Sequence, residues 1–552
     1  MSTLAVGAPD AALPAGAPDA ASPAGAPGGD GTLVVDLLDA AAADRPAGPA
    51  VRDAGGAWSY AELARASRTV AAWLRGPGGV SPGDRVVLRL GNRREFAALY
   101  YGVLRAGAVA VPLNPEMKSF VLRGVLADAA PAVVVLDPSE AEPVRETVAA
   151  CGARSAGPAE LLAEEGGADH GPWTGQGQGQ SQGHDTGTGT GTGTTAGRAP
   201  DGRPSADAVA QLIYTSGSTS APKGVVCTHR QVVFAARAIA RRLAYRPDDV
   251  VLAALPLSFD YGLYQLLLAA IGGAEVVLAD AAAPVRALTA LRERRATVVP
   301  VVPSLAEMLC RLAVRGTPPD HVRLFTNTGA ALSGSTIEAL RAGFPGAAVV
   351  AMYGITECKR VTIAEPDADR ERPGSVGRAL DGTTVEVLDE RGRALPPGEV
   401  GEIVVGGPHV MSGYWNAPEL TARRYRPDPG TGRIRLHTGD HGRLDEDGHL
   451  YFAGRLDDQF KRRGVRMGTP EIEAAALDVP GVLAAAALPP RDGQDLRLVV
   501  TCEEGLTARR VLDGLEQRLE AAKVPAACRV LARMPLTPNG KIDRKALETD
   551  AH

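Results

Sequence analysis

From Leu212 to Gly224 the chain reads Leu-Ile-Tyr-Thr-Ser-Gly-Ser-Thr-Ser-Ala-Pro-Lys-Gly, an apolar run that passes into hydroxyls, a glycine and one lysine. Those residue types in that order can hold phosphate. Small residues such as Gly217 let backbone N–H groups approach the oxygens. The hydroxyls of Thr215, Ser216, Ser218 and Thr219 donate further bonds, and Lys223 adds a point charge. The segment is not a GxxxxGK[ST] loop, because Lys223 follows Pro222 and precedes Gly224. Taken alone, such a cluster reads rather as a polar surface loop. Two more segments present cations on turns: Lys461-Arg462-Arg463-Gly464, and Lys541 within Thr537-Pro538-Asn539-Gly540-Lys541-Ile542-Asp543. Lysine is scarce in this chain, seven residues against 52 arginines, so a lysine at such a place says more than a default surface charge would.

These groups need a scaffold, and the hydrophobic pattern supplies one. Short valine-rich runs (Val86-Val87-Leu88, Val133-Val134-Val135-Leu136, Val276-Val277-Leu278, Val298-Val299) alternate with Ala, Leu and Arg-rich stretches at 61–75, 96–106, 230–243 and 335–343. Strand and helix in alternation predict an α/β fold with layered, mostly parallel sheets. From Val385 the texture shifts to strand–turn units with Pro-Pro-Gly and Asp-Glu-Asp-Gly turns, which predicts a β-rich subdomain. Residues 31–454 are expected to form the large domain and 455–552 a small, mobile α+β domain. The Pro/Ala/Gly repeats of 1–30 predict a disordered tail, and the Gly/Gln/Thr tract within 166–205 a flexible insert, since neither has enough to bury.

Composition narrows the function classes. With 552 residues, 64 acidic and 59 basic side chains and a net charge of -5, the chain lacks the basic excess of a general nucleic-acid binder. Its six cysteines (151, 227, 310, 358, 502, 528) form no CxxC pair, so a disulfide framework or zinc site is not expected and a reducing cytoplasmic setting is the simple reading. Residues 1–30 carry no Lys or Arg and so make no signal peptide, and no 18-residue apolar stretch predicts a membrane span.

Nine motifs, in order from Trp58 to Lys541, resemble those of the adenylate-forming superfamily, which includes acyl-CoA synthetases, peptide-synthetase adenylation domains and luciferases. They begin with Trp58-Ser59-Tyr60-Ala61-Glu62-Leu63, Leu104-Arg105-Ala106-Gly107-Ala108 and the phosphate loop. Pro256-Leu257-Ser258-Phe259-Asp260-Tyr261-Gly262 and Tyr353-Gly354-Ile355-Thr356-Glu357 follow. Next come Gly401-Glu402-Ile403 through Gly413-Tyr414-Trp415, then Thr438-Gly439-Asp440. Gly454-Arg455-Leu456-Asp457-Asp458-Gln459 and Pro538-Asn539-Gly540-Lys541 close the set.

The resemblance implies that a carboxylate and ATP give an acyl-adenylate and pyrophosphate, after which the acyl group passes to a thiol. Two anions must meet, so such a site needs cations and aligned donors rather than a nucleophilic side chain. By resemblance, the 215–219 loop and Lys223 hold the β- and γ-phosphates, Thr356 meets the α-phosphate and Glu357 holds Mg²⁺. Tyr353 stacks on adenine, Gly329-Ala330-Ala331 walls the base, Asp440 accepts from the ribose hydroxyls, and Arg455 reaches ribose or phosphate. Lys541 bridges the substrate carboxylate and the α-phosphate. Asp457 is the hinge on which the small domain turns to bring in the Lys461 loop for the second half-reaction. Arg466-Met467-Gly468 departs from the peptide-synthetase pattern and stands closer to acyl-CoA synthetases.

For the acid pocket the resemblance implies Phe259 as a gating aromatic and Asp260 at the position where amino-acid-activating domains bind an amine. Tyr261, Tyr264, Pro300, Thr326, Thr328, Met352, Arg360 and Val361 take other pocket positions. Lys359 and Arg360 have an alternative, pointing to solvent from a helix after Glu357. The lining suggests a medium-sized acid, polar or aromatic, rather than a long fatty chain. No Gly-Gly-His-Ser or Gly-Gly-Asp-Ser carrier site is present, so the acceptor is expected to be the pantetheine thiol of coenzyme A or of a separate carrier protein. The alternatives are an amino-acid-activating enzyme that loads a carrier protein, a non-catalytic nucleotide-binding homologue, and use of the adenylate for nitrogen chemistry.

Overall fold

The computed structural model describes residues 31–163, 203–215, 222–279, 284–313, 318–455, 459–462, 465–490, 494–519, 523–537 and 540–549. Residues 1–30, most of the 166–205 tract and Asp457 lie outside them. The packed chain resumes at Arg203, whose guanidinium pairs with Asp36.

The valine runs form strands as expected: Arg85–Arg89, Val133–Leu136, Glu275–Leu278 and Val298–Val301. They belong to two sheets. In a six-stranded sheet, Arg154–Ala156, Val133–Leu136, Arg85–Arg89, Val109–Leu113 and Val209–Thr215 run parallel, and Lys223–Thr228 closes the edge antiparallel to Val209–Thr215. Helices cover both faces, so these strands are buried on both sides, and unbroken apolar runs are the pattern that arrangement requires.

A second sheet of 14 strands is parallel through its centre (Val250–Ala253, Val298–Val301, Leu324–Asn327, Ala348–Tyr353) and continues without a break into antiparallel strands. The β-rich region starts earlier than Val385. Thr362–Ile363 already pairs antiparallel to Met352 and Tyr353, and Ser375–Ala379 pairs with Thr362–Ile363. A two-residue strand carries no readable period, which is why the pattern did not mark it.

Local signals account for the helix ends. Helix Tyr60–Arg75 opens with a reciprocal cap in which the Glu62 N–H donates to Ser59 Oγ at 3.3 Å and the Ser59 N–H donates to Glu62 Oε2 at 2.7 Å. Thr228 and Gln231 start His229–Leu243 in the same way. The Tyr60 hydroxyl lies 2.8 and 2.6 Å from the carbonyls of Ala269 and Ala274, the C-terminal end of the buried helix Asp260–Gly272. The Trp58–Leu63 motif thus anchors the helix whose first residue is Asp260.

The C-terminal part builds its own three-stranded sheet from Val482–Leu488, Arg497–Cys502 and Ala527–Val530. Helices Thr469–Leu477 and Ala508–Glu516 pack on it over a separate core that includes Ile472, Val500 and Leu515. All six cysteines are free, and among the described residues no helix is long and apolar enough to cross a membrane.

Candidate active site

One end of the 14-stranded sheet gathers a carboxylate, a phenol and a guanidinium. Asp440, on strand Ile434–Leu444, stands across from Arg455 on His449–Arg455. Arg455 Nε donates to Asp440 Oδ1 at 3.0 Å, and the Tyr353 hydroxyl donates to Oδ2 at 2.7 Å. Asp440 is buried, and that burial raises its pKa above the ordinary carboxylate value, opposed by Arg455 and by the Tyr353 bond. The Tyr353 ring stacks on Phe452 with centroids 5.7 Å apart. Each Asp440 oxygen has taken one donor and retains a lone pair for another.

The phosphate-loop strands sit beside this group. Thr215 and Lys223 are register partners at the mouth of the hairpin Val209–Thr215/Lys223–Thr228; Ser216, Gly217, Ser218 and Thr219 lie outside the described residues. The Gly413-Tyr414-Trp415 segment pairs along the same hairpin, with Val226 N donating to Gly413 O at 2.9 Å and Trp415 N to Gly224 O at 2.7 Å. Its tyrosine reaches Glu357: the Tyr414 hydroxyl donates to Glu357 Oε1 at 2.6 Å, and burial followed by that carboxylate raises the phenol's pKa. Thr356, half-buried, sits in the turn beside Glu357. Tyr214 Oη and Trp415 Nε1 both donate to Asp128, at 2.6 and 3.2 Å, which ties the loop's first strand to the same segment. Tyr414 and Asp128 had no place in the sequence-derived site. The tyrosine lies in a motif, but nothing local shows that it meets Glu357.

Lys541 arrives from the C-terminal part. Ser304 Oγ donates to Gly540 O at 2.9 Å, holding the turn against the start of helix Pro303–Ala313. The Lys541 stem then lies over the exposed turn Gly329-Ala330-Ala331: a Cβ placed on Gly329 would stand 3.5 Å from Lys541 Cε and 3.7 Å from Nζ. The residue keeps solvent contact, but the protein packed around its ammonium, and then Arg455, lower its pKa, while Asp260 and Asp440 pull it back up. Those two carboxylates and Arg360 therefore lie within the electrostatic reach of Lys541. Lys461 is on strand Gln459–Arg462, with its side chain outside the described set.

The residues expected to line the acid pocket are more polar than a fatty chain would call for. Asp260 is buried, with Arg360 Nη1 3.6 Å from its Oδ2. The Arg360 guanidinium lies over the Tyr261 ring at 4.7 Å, and Tyr261 Oη sits 2.7 Å from Thr326 on the adjoining strand. Pro300 and Thr326 are register partners. Phe259 meets Tyr261 edge-on at 6.5 Å, and Met352 and Val361 are buried. The hydroxyls of Tyr264 and Thr328 are buried without a hydrogen-bond partner. Asn92, another residue the motifs did not reveal, clamps the loop before Asp260: it donates to Leu255 O and Ala279 O at 2.9 Å each and accepts from Leu257 N at 2.9 Å.

The solvent-facing alternative for Lys359 and Arg360 is corrected. No helix follows Glu357; the chain turns, Lys359 takes φ +62°, and both side chains are buried, at 0% and 5% exposure. Gly354 permits this turn, because a Cβ there would lie 1.8 Å from the Lys359 carbonyl oxygen.

An α/β body with a smaller C-terminal part is the architecture of the adenylate-forming superfamily. The chain belongs to the AMP-binding enzyme family, whose pattern matches residues 38–415, with that of its C-terminal domain matching 471–541. It is 35% identical to the AMB antimetabolite synthetase AmbB of Pseudomonas aeruginosa over 93% of this chain and 38% of that protein, so it spans well under half of AmbB. It is 32% identical to a feruloyl-CoA synthase from Amycolatopsis, covering 90% of this chain and 94% of that one. Among solved structures, VinN superposes with a TM-score of 0.65 at 45% identity over 77% of this chain and 99% of its own. A complex of VinN with L-aspartate gives 0.63 at 43% over the same shares.

Proposed function

We propose that this protein activates a carboxylic acid bearing an amine as its acyl-adenylate and passes the acyl group to a pantetheine thiol. The position of Lys541 carries the reading. A cation from one sheet system is set over the Gly329 turn, within reach of Asp260 on the acid side and Asp440 on the nucleotide side.

In the first step a carboxylate oxygen of the acid attacks the α-phosphorus of ATP, the bond to the bridging oxygen breaks, and pyrophosphate leaves. Thr215 and Lys223, with the loop between them, would hold the departing phosphates, and Thr356 the α-phosphate. Asp440, oriented by Tyr353 and Arg455, would hold the ribose. Lys541 would screen the two anions as they approach, which is the electrostatic part of the catalysis. Among the described residues no three His, Cys, Asp or Glu side chains gather as a metal cage. A single carboxylate suits Mg²⁺, which takes its other ligands from water and substrate phosphates, so Glu357 would be its protein ligand. The ion would neutralise phosphate charge.

In the second step a thiolate attacks the acyl carbon, AMP leaves, and the thiol proton passes to solvent. The thiol belongs to coenzyme A or to a separate carrier protein, and both present the same arm. Asp260 at the start of a buried helix in the pocket supports an amine on the acid, as does the L-aspartate bound by VinN. Acid-dependent exchange of labelled pyrophosphate into ATP tests the reading. Exchange with no acid from a panel of amino, aryl and alkyl acids would overturn it.

A further inference from the structure

Residues 411–415 grip Glu357 at both of its ends. Met411 N donates to the Glu357 backbone carbonyl at 2.9 Å, and the Tyr414 hydroxyl donates to the carboxylate Oε1 at 2.6 Å. Among the described residues Glu357 forms no ion pair and its Oε2 takes no donor, so one carboxylate oxygen is held and the other is open. The same stretch is zipped to the phosphate hairpin. Ser412 N donates to Val226 O and Val226 N to Gly413 O, both at 2.9 Å, Tyr414 bridges Val225, and Trp415 N donates to Gly224 O at 2.7 Å. These bonds stop one residue short of Lys223.

Tyr414 has little freedom of its own. Its N–H donates to Thr421 Oγ1 at 2.9 Å, Thr421 donates in turn to Ala417 O at 2.9 Å, and its ring meets Tyr425 edge-on with centroids 5.8 Å apart. Gly413 allows the approach: its φ is +105°, and a Cβ there would stand 2.4 Å from Thr421 Cγ2. The phenol therefore reaches Glu357 from a fixed point on the hairpin. Without it, Glu357 is a half-buried side chain with several torsions to lose on binding. Loss of an outer partner that orients a metal-binding carboxylate typically costs about 10–100-fold in metal affinity.

We propose that Tyr414 is a positioning residue that couples Mg²⁺ to ATP: it holds Glu357 in a set place relative to the phosphate hairpin, so that carboxylate and phosphates are offered to the ion together. This rests on the activation reading above, which puts phosphates at Thr215 and Lys223 and the ion at Glu357, and adds the residue that makes the two act as one site. The hydroxyl's contribution then lies in the coupling between metal and nucleotide and not in the binding of nucleotide alone. AMP, which has no β- or γ-phosphate, gains nothing from it. The phenol also draws charge from the carboxylate, which by itself would weaken the hold on a cation; placement outweighs that loss.

The test is calorimetric binding of ATP and of AMP, each with Mg²⁺ saturating and with the metal chelated. The coupling is the ratio of the two ATP dissociation constants. Tyr414→Phe keeps the ring on Tyr425 and removes the hydroxyl; it should lower the coupling by about tenfold, with metal-free ATP and AMP within about twofold of wild type. Glu357→Gln should lower the coupling at least as far. Tyr414→Phe added to Glu357→Gln should then cost nothing more, because the hydroxyl acts only through that carboxylate. Thr421→Ala, a second variant should Tyr414→Phe fail to fold, frees the Tyr414 N–H and should lower the coupling by about threefold. A coupling unmoved or raised in the variant that folds, or ATP and AMP weakened alike with and without the metal, overturns this inference and leaves activation standing. Wild-type ATP affinity that ignores Mg²⁺ removes Glu357 as the ion's ligand and this inference with it, while acid-dependent pyrophosphate exchange still reads activation separately. No binding of ATP by the wild type overturns activation as well.

Discussion

Lys541→Ala is expected to separate the two half-reactions. Among the described residues no carboxylate lies within 4.0 Å of the Lys541 ammonium, so truncation breaks no ion pair in the resting protein. Its cost to folding should be within about 0.5 kcal/mol, the range for substitutions away from special features. Its cost to adenylation should be that of one preorganised donor facing charge that develops in the transition state, about 2.7–4 kcal/mol, or 10²–10³ in rate. Pyrophosphate exchange reads the first half-reaction, and thioester formation from supplied acyl-adenylate reads the second. The variant should lose the first by that factor and retain the second. The same residue gives a pH signature. On the proposed role the protonated form is the active one, and its pKa is pushed below the ordinary 10.5, so exchange should decline on the alkaline side before an unperturbed lysine would titrate. Equal loss in both half-reactions would refute the role given to the Gly329 contact, because a lysine serving both steps cannot belong to the adenylation geometry alone.

Other substitutions probe the surrounding residues. Asp440→Asn removes the charge that organises Tyr353 and Arg455 and should raise KM for ATP by about 10–100-fold, the worth of a charge-assisted hydrogen bond; an unchanged KM for ATP would remove Asp440 from the nucleotide site. Gly354→Ala places a Cβ 1.8 Å from the Lys359 carbonyl oxygen and should cost about 1–3 kcal/mol in a urea titration, with no loss expected only if the turn at Lys359 is not as described. His229, which accepts from the Val34 N–H, and His409, packed near Phe234, are both buried with pKa values lowered from 6.5 to about 4, chiefly by burial. The unfolded chain binds the extra protons between those values, so stability is whole above pH 6.5 and is lost as pH falls toward 4. By pH 5 each should cost about 2 kcal/mol relative to neutral pH. Denaturation midpoints at pH 5 and 7.5 check this, and His409→Leu should remove about half of the slope.

How far the sequence led depended on how local each feature is. Strands such as Val133–Leu136 and helices such as Tyr60–Arg75 were legible because a valine run or a Ser-x-x-Glu cap is complete within a few residues. The motifs pointed to Asp440, Tyr353 and Lys541, which the fold brings to one end of the large sheet. What the residues did not disclose lies in pairings between distant segments. Ser304 holds the Lys541 turn from 236 residues away, Asn92 fastens the loop before Asp260 across 163, and Tyr414 meets Glu357 across 57. The sequence left Lys359 and Arg360 between two readings, inward and solvent-facing, for a different reason. A Lys-Arg pair after an acid can equally face solvent from a helix, and only the left-handed backbone beside Gly354 turns it inward.

The strand Ala348–Tyr353 has a further consequence. Its last two residues face opposite cores: Met352 packs with the main α/β core, while Tyr353 packs with Cys358, Ile403 and Leu436 under the antiparallel strands and reaches Asp440. One peptide unit therefore separates Met352, a proposed wall of the acid pocket, from the support of Asp440. Redesign for a bulkier acid that pushes on Met352 must also move Tyr353, and the change would register as weaker nucleotide binding. Variants selected for a new acid should therefore carry compensating changes near Phe452 or Asp440, far from the pocket that selection addressed.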